Sequence, residues 1–168
     1  MLFVMGNVLK AKIKQQVDFD SPAVEATLNL MVAADAVRAR FDGFFAKYEI
    51  TNGQYNVLRI LRGAGADDGH PRCEIAARML ERAPDITRIV DRLEKQHLVK
   101  RARSDEDRRL SIAKISRKGL ALLERMQPEL EKIQHQVNEK LSVAEWIALS
   151  SICEKIYAET GQEETTKG

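Results

Sequence analysis

After Ser21-Pro22, apolar residues fall at Val24, Leu28, Met31, Val37, Phe41, Phe44, Phe45 and Tyr48, the three-to-four-residue step of a helix. Serine caps well and proline is tolerated in a first turn, so the spacing predicts a long helix from about 21 to 48. Residues 1–20 have no sustained period and predict an extended or short helical arm. Thr51-Asn52-Gly53-Gln54 has the form of a capping box. A second helix is expected from about 52, turning Tyr55, Leu58 and Leu61 inward. The run 63–69, with three glycines, is a turn-rich break. Cys73–Leu80 then reads as a short helix whose inner side is Ile75, Met79 and Leu80.

Pro84 restarts the chain. From Asp85 to Lys95 the apolar residues are Ile86, Ile89, Val90 and Leu93, an i, i+3, i+4, i+7 stripe. The other side holds Asp85, Thr87, Arg88, Asp91, Arg92 and Lys95. Leu98–Arg103 and Leu110–Ile115 have strand character and flank the polar turn 104–108, which predicts a hairpin with a longer loop. Ser116 is placed to cap the next helix. The apolar positions of that helix, Leu123, Met126, Leu130, Ile133 and Val137, step alternately by three and four. Pro128 interrupts it and should kink it. Ser142-Val143-Ala144-Glu145 is a second capping-box pattern, opening a last helix with Trp146, Leu149, Ile152 and Ile156.

The order of these elements is that of a mainly α chain with a small β-hairpin: a winged helix-turn-helix lobe flanked by long helices. The boundaries expected are an N-terminal arm at 1–20, a helical dimerisation region from 21–50 and 117–160, a winged lobe at 51–116, and a polar tail at 161–168. The winged lobe is small and the flanking helices carry long apolar stripes. Left bare, those stripes would be an aggregation liability, so they are expected to pair with a second copy.

Composition narrows the classes. The 168 residues include only 4 prolines and 9 glycines, 44% are hydrophobic and 31% charged, which is globular composition. Aromatic residues make up 5%, little material for a ring-lined sugar or flavin site. Cys73 and Cys153 form no CxxC pair and cannot build a disulfide framework or a four-cysteine zinc site. The apolar start, Met1–Met5, has its lysines after it rather than before, which argues against an export signal. No stretch approaches a membrane span, so a cytoplasmic protein with no membrane partner is expected.

Net charge is only +2. Residues 72–118, however, hold 14 Lys and Arg against 8 Asp and Glu, a net of +6, while the remainder carries −4. One basic segment on a mildly acidic chain suits a phosphate-bearing partner, and equally suits a solvated, salt-bridged helix surface. Charge alone leaves both open.

The residues from Asp85 to Lys95 leading into His97-Leu98-Val99, then Asp107-Arg108-Arg109, then Ile115-Ser116-Arg117-Lys118-Gly119, resemble the MarR family of bacterial and archaeal transcriptional regulators. The resemblance spans roughly 21–157 and is specific over 83–119. It implies a dimeric, sequence-specific double-stranded DNA-binding regulator, in most cases a repressor, released by a small ligand. Its recognition helix, about 84–95, would enter the major groove and its wing, about 99–115, the minor groove of a pseudo-palindromic operator.

Several side chains follow as candidates. Arg88 and Arg92 stand one turn apart on the outer side, and a guanidinium can give two parallel hydrogen bonds to a guanine edge or a phosphate. Thr87 offers a hydroxyl and a methyl. Asp85 either accepts from a cytosine amino group or favours the helix start, and the second is preferred. At the wing, Asp105, Glu106 and Asp107 outnumber Arg108 and Arg109, so charge does not predict DNA contact there. The resemblance implies it, with Arg109 entering the minor groove and Asp107 orienting it. Arg101 and Arg103, on the other strand, suit phosphates better than bases.

By the same resemblance, a small phenolic or lipophilic ligand would lie near Phe44, Tyr48 and Tyr55, which on the residues alone read first as core. Cys73 opens a helix beside Arg72, a setting that can favour a reactive thiol; similar proteins in some cases sense oxidants through a cysteine, though not one matched to this position, so redox sensing is the minor reading. His70 and Cys73 lack a second pair of ligands, and His97 and His135 stand alone, so no metal or other cofactor is expected. No nucleophile–base motif or phosphate loop is present, and no enzymatic activity is expected. The competing reading is a winged-helix protein-interaction module without specific DNA binding.

Overall fold

A long helix, α2 (Pro22–Ala46), leads the chain into its folded part. Ser21 caps it by accepting from the Val24 N–H at 3.3 Å, with Pro22 in the first turn. The computed structural model describes residues 7–65, 68–80, 85–103 and 111–160. The N-terminal arm includes a short helix, α1 (Asn7–Ile13), which lies against α2 with Leu9 buried. Lys10 pairs with Asp18 and stands 5.8 Å from the centre of the Phe19 ring.

α2 ends in a tight corner at Glu49, whose φ of 56° is left-handed. Thr51 and Gln54 then form the full reciprocal capping box, Thr51 N–H to Gln54 Oε1 at 2.9 Å and Gln54 N–H to Thr51 Oγ1 at 3.2 Å. They open α3 (Asn52–Ala64), whose Val57, Leu58 and Leu61 are completely buried. Each such side chain contributes about 1.5–3 kcal/mol relative to exposure, and α3 packs against α2 and the elements that follow it.

Beyond α3, a short strand β1 (His70–Pro71) runs directly into α4 (Arg72–Ala77), followed by α5 (Ile86–Lys95). β2 (Val99–Arg103) and β3 (Ser111–Ile115) are the arms of the expected hairpin. The sheet has a third strand that alternation did not reveal: the order is β1-β3-β2, all antiparallel. Two residues are too few to show a period. Gly69 makes the addition possible, because a Cβ there would stand 2.4 Å from the Ala113 carbonyl oxygen, and its φ of 69° suits glycine.

The helix expected at Cys73–Leu80 is shorter and its inner side smaller. It stops at Ala77, and the Arg78 and Met79 N–H groups bond only three residues back, to Ile75 and Ala76. This tightened end turns Leu80 outward, 80% exposed, while Ile75 is fully buried and Met79 half-buried.

Ser116 joins the sheet to the next helix. Its hydroxyl donates to the His97 carbonyl at 2.7 Å and accepts from the Gly119 N–H at 3.0 Å. α6 (Arg117–Asn138) carries Pro128 within it, and its Leu122, Leu123, Met126 and Leu130 are buried.

The chain divides into two compact units, Met1–Leu123 and Glu124–Gly168. In the second, α7 (Val143–Thr160) opens with the Ser142–Glu145 capping box, and the Trp146 indole donates to the Asn138 carbonyl at 3.1 Å. The bonds from Ser142 hold the Glu145 carboxyl below its usual pKa. Val143, Ile147, Ile152, Ile156 and Tyr157 are each more than half exposed.

Candidate nucleic-acid interface

α5 starts where a carboxylate makes it start. Asp85 Oδ1 accepts the Arg88 N–H at 3.1 Å, a cap worth about 1 kcal/mol. Of the two roles considered for Asp85, this is the one its geometry serves. The helix then presents three longitudinal stripes. Ile86, Val90 and Leu93 are buried. Arg88, Arg92 and Lys95, spaced i, i+4, i+7, are exposed, and the Arg88 side chain is 80% exposed. Among the described residues it pairs with Asp85, Nε to Oδ2 at 3.1 Å. Lys95 and Arg92 stand in the last turn, where positive charge suits the carbonyl end of the helix.

The third stripe is Thr87, Asp91 and Glu94, and neighbouring elements hold all of it. Arg72, the first residue of α4, donates from Nη1 to Thr87 Oγ1 at 3.0 Å. Arg101 on β2 pairs through Nη2 with Asp91 and through Nη1 with Glu94 Oε2 at 3.5 Å. Arg72, Thr87, Arg101 and Ser111 line a cleft of about 160 Å³ between α4, α5 and the sheet.

The far end of α5 is anchored by an amide. Gln96 Nε2 donates to the Glu49 carbonyl at 3.0 Å, and Gln96 Oε1 accepts from the buried Gln54 at 3.3 Å. The Lys118 ammonium donates to the Gln96 carbonyl at 2.9 Å. His97, with φ of 61°, turns the chain from helix to strand.

Of the side chains proposed from the sequence, the structure therefore gathers Thr87, Arg88, Arg92 and Arg101 on or against one helix. Arg103 is exposed at the end of β2, opposite Ser111. Asp107, Arg108 and Arg109 lie outside the described residues. Phe44 is buried and meets Tyr48 edge-on at 5.2 Å, while Tyr55 stacks on Phe45 at 4.6 Å. The aromatic cluster thus packs the joint of α2 and α3.

Sequence reasoning missed Arg72, Gln96 and Lys118. Gln54 was visible only as a cap. Nothing in the sequence says what Arg72 and Lys118 touch, because that is set by tertiary packing.

A side site sits at β1. Arg78 Nη1 approaches His70 Nε2 at 2.8 Å and its Nη2 donates to Glu74 at 3.1 Å. Burial, and then the Arg78 charge, hold the His70 pKa below its ordinary value, against the opposing pull of Glu74 and Asp68. Cys73 is exposed and Cys153 half-buried, both as free thiols. Among the described residues, no group of three His, Cys, Asp or Glu is gathered as metal ligands would be. No helix among them is long and apolar enough to cross a membrane.

A capped helix lying on its apolar stripe, an arginine-bearing face turned to solvent and a three-stranded wing beside it define a winged helix-turn-helix protein. The MarR family model matches residues 50–111. A MarR transcription factor from Planctomyces limnophilus is 34% identical, with a TM-score of 0.63, covering 82% of this chain and 98% of that one. The homoprotocatechuate degradative operon repressor of Escherichia coli is 26% identical over 79% of this chain and 87% of its own. Bordetella bronchiseptica BpsR, solved in a study of how 6-hydroxynicotinic acid regulates its DNA binding, has the same fold. Its TM-score is 0.67 at 23% identity, over 79% of this chain and 98% of that one. The chain belongs to the MarR family of transcriptional regulators.

Proposed function

We propose that this regulator is a cytoplasmic homodimer that binds a pseudo-palindromic double-stranded DNA operator and acts as a repressor. The observation that carries the reading is the outward stripe Arg88–Arg92–Lys95, directly beside the buried stripe Ile86–Val90–Leu93. Ten residues at 1.5 Å each give a helix about 15 Å long, enough to lie in a major groove and offer Arg88 and Arg92 to guanine edges. Arg103 would meet phosphate, and Arg108 and Arg109 would reach the minor groove, with Asp107 orienting the second.

The dimer is supported by the apolar side chains that the single chain leaves bare, Met31 and Val37 on α2 and Ile147, Ile152 and Ile156 on α7. In this reading 21–50 and 117–160 form the dimerisation region and 51–116 the DNA-binding lobe, with an arm at 1–20 and a tail at 161–168. Two copies would set their recognition helices about 34 Å apart, one turn of DNA.

A small phenolic or lipophilic ligand near Phe44, Tyr48 and Tyr55 would release the operator. The names of two similar proteins support a small-molecule signal: one is the repressor of a homoprotocatechuate degradative operon, and the other has its DNA binding regulated by 6-hydroxynicotinic acid.

The test is retention of genomic DNA fragments on the immobilised protein, followed by binding of the retained duplexes across a salt series. Tight binding that weakens steeply with salt is expected, since each neutralised phosphate releases counterions. No salt-dependent duplex affinity would favour a protein-docking module instead.

A further inference from the structure

We propose that Arg72 and Arg101 are positioning residues that set the roll of α5 about its own axis, and so decide which of its side chains meets a DNA groove. The inference rests on the DNA-binding reading above. It assigns Thr87 and Arg101 to holding the helix rather than to touching DNA.

Apolar burial leaves the roll of α5 undetermined. Ile86, Val90 and Leu93 fix which side of α5 faces inward, but hydrophobic attraction is non-directional and tolerates rotation. A roll of about 20° moves a group 5–6 Å from the helix axis by about 2 Å, enough to ruin a hydrogen bond to a base edge. Directional contacts are needed to set the angle. The stripe Thr87–Asp91–Glu94 supplies them, each member engaged by an arginine from outside the helix, from α4 at one end and from β2 toward the other. The planar fork of Arg101 reaches two carboxylates one turn apart, which fixes rotation better than a single point contact.

Charge agrees. One guanidinium between two carboxylates makes a trio of net −1, a poor attractor for phosphate. The side chains of this trio are about 40% exposed, and ion pairs so exposed contribute little to stability. Loss of the strap should therefore appear in DNA affinity and hardly in folding.

The experiment compares operator binding by the full-length protein with that of Arg101→Met, Asp91→Asn and the double variant, across salt, beside their thermal midpoints. The expected result is that each single change weakens specific binding by about tenfold and the double is no worse than either. Salt dependence and thermal midpoints should stay near wild type. The pair Arg72→Met and Thr87→Val should behave alike. The proposal is overturned if Asp91→Asn tightens binding while Arg101→Met lowers the salt slope by about one, since Arg101 would then be contacting phosphate itself. Unchanged affinity in both singles overturns it as well. Should the wild type bind no duplex, the functional reading fails separately, and the strap is judged by amide exchange in α5. Faster exchange in Arg101→Met supports it and unchanged exchange overturns it.

Discussion

The side chain of Gln96 donates to the main-chain carbonyl of Glu49 at 3.0 Å, so the end of α5 is tied to the corner that closes α2. The same amide oxygen accepts from Gln54. Gln96→Leu keeps the approximate volume and removes both bonds, stranding the buried Gln54 donor. A loss of about 1–3 kcal/mol is expected, read as a lower urea midpoint with an unchanged slope.

Gly119 is required by proximity. A Cβ there would stand 2.4 Å from the Leu98 carbonyl oxygen and 2.9 Å from the Ile115 side chain. Gly119→Ala must push β2 away from the start of α6. The expected cost is about 1–3 kcal/mol despite the better helix propensity of alanine, measured by thermal unfolding. A stabilised variant would contradict the contact.

The His70 pKa is depressed on folding, so the folded state favours the neutral ring. The stabilisation is complete above the ordinary histidine pKa and is lost as pH falls through it toward the lower folded value. Unfolding free energy measured from pH 8 down to pH 5 should fall more steeply for the wild type than for His70→Gln. Parallel curves would remove His70 from the pH response.

Arg88→Ala and Arg103→Ala should separate two kinds of contact. Arg88→Ala is expected to cost about 1–3 kcal/mol on the operator and little on unrelated duplex, flattening sequence preference. Arg103→Ala should weaken both by similar factors and lower the salt slope by about one. Competition titrations with specific and mixed-sequence DNA measure both quantities.

Ile152→Asp puts a carboxylate on the bare apolar face of α7, where Ile152 is 55% exposed in the single chain. The substitution should leave the protomer folded and shift light-scattering mass from dimer toward monomer. A mass unchanged at micromolar concentration would move the dimer contact elsewhere.

Much of this was legible from spacing. The stripe of Ile86, Ile89, Val90 and Leu93 and the caps at Ser21, Thr51 and Ser142 are local signals, and the structure realises each, with Ile89 only half-buried. What was lost depends on neighbours. β1 is too short to carry alternation, and Leu80 continued a helical period that the backbone had already left. The ion pairs of Arg101 were not visible either, because its two carboxylates lie 7 and 10 residues earlier, on a different element. Spacing shows which face a side chain occupies and is silent about what packs against that face.

The three stripes of α5 also bear on how such a regulator could acquire a new target. Ile86, Val90 and Leu93 are committed to packing, and Thr87, Asp91 and Glu94 are gripped by arginines from outside the helix. Ile89 is half-buried beside Gly53, which leaves the exposed positions 88, 92 and 95 as the ones to vary without disturbing the mount. On the proposed mode of binding, libraries randomised at those three positions alone should yield altered operators while the rest of the helix stays constant.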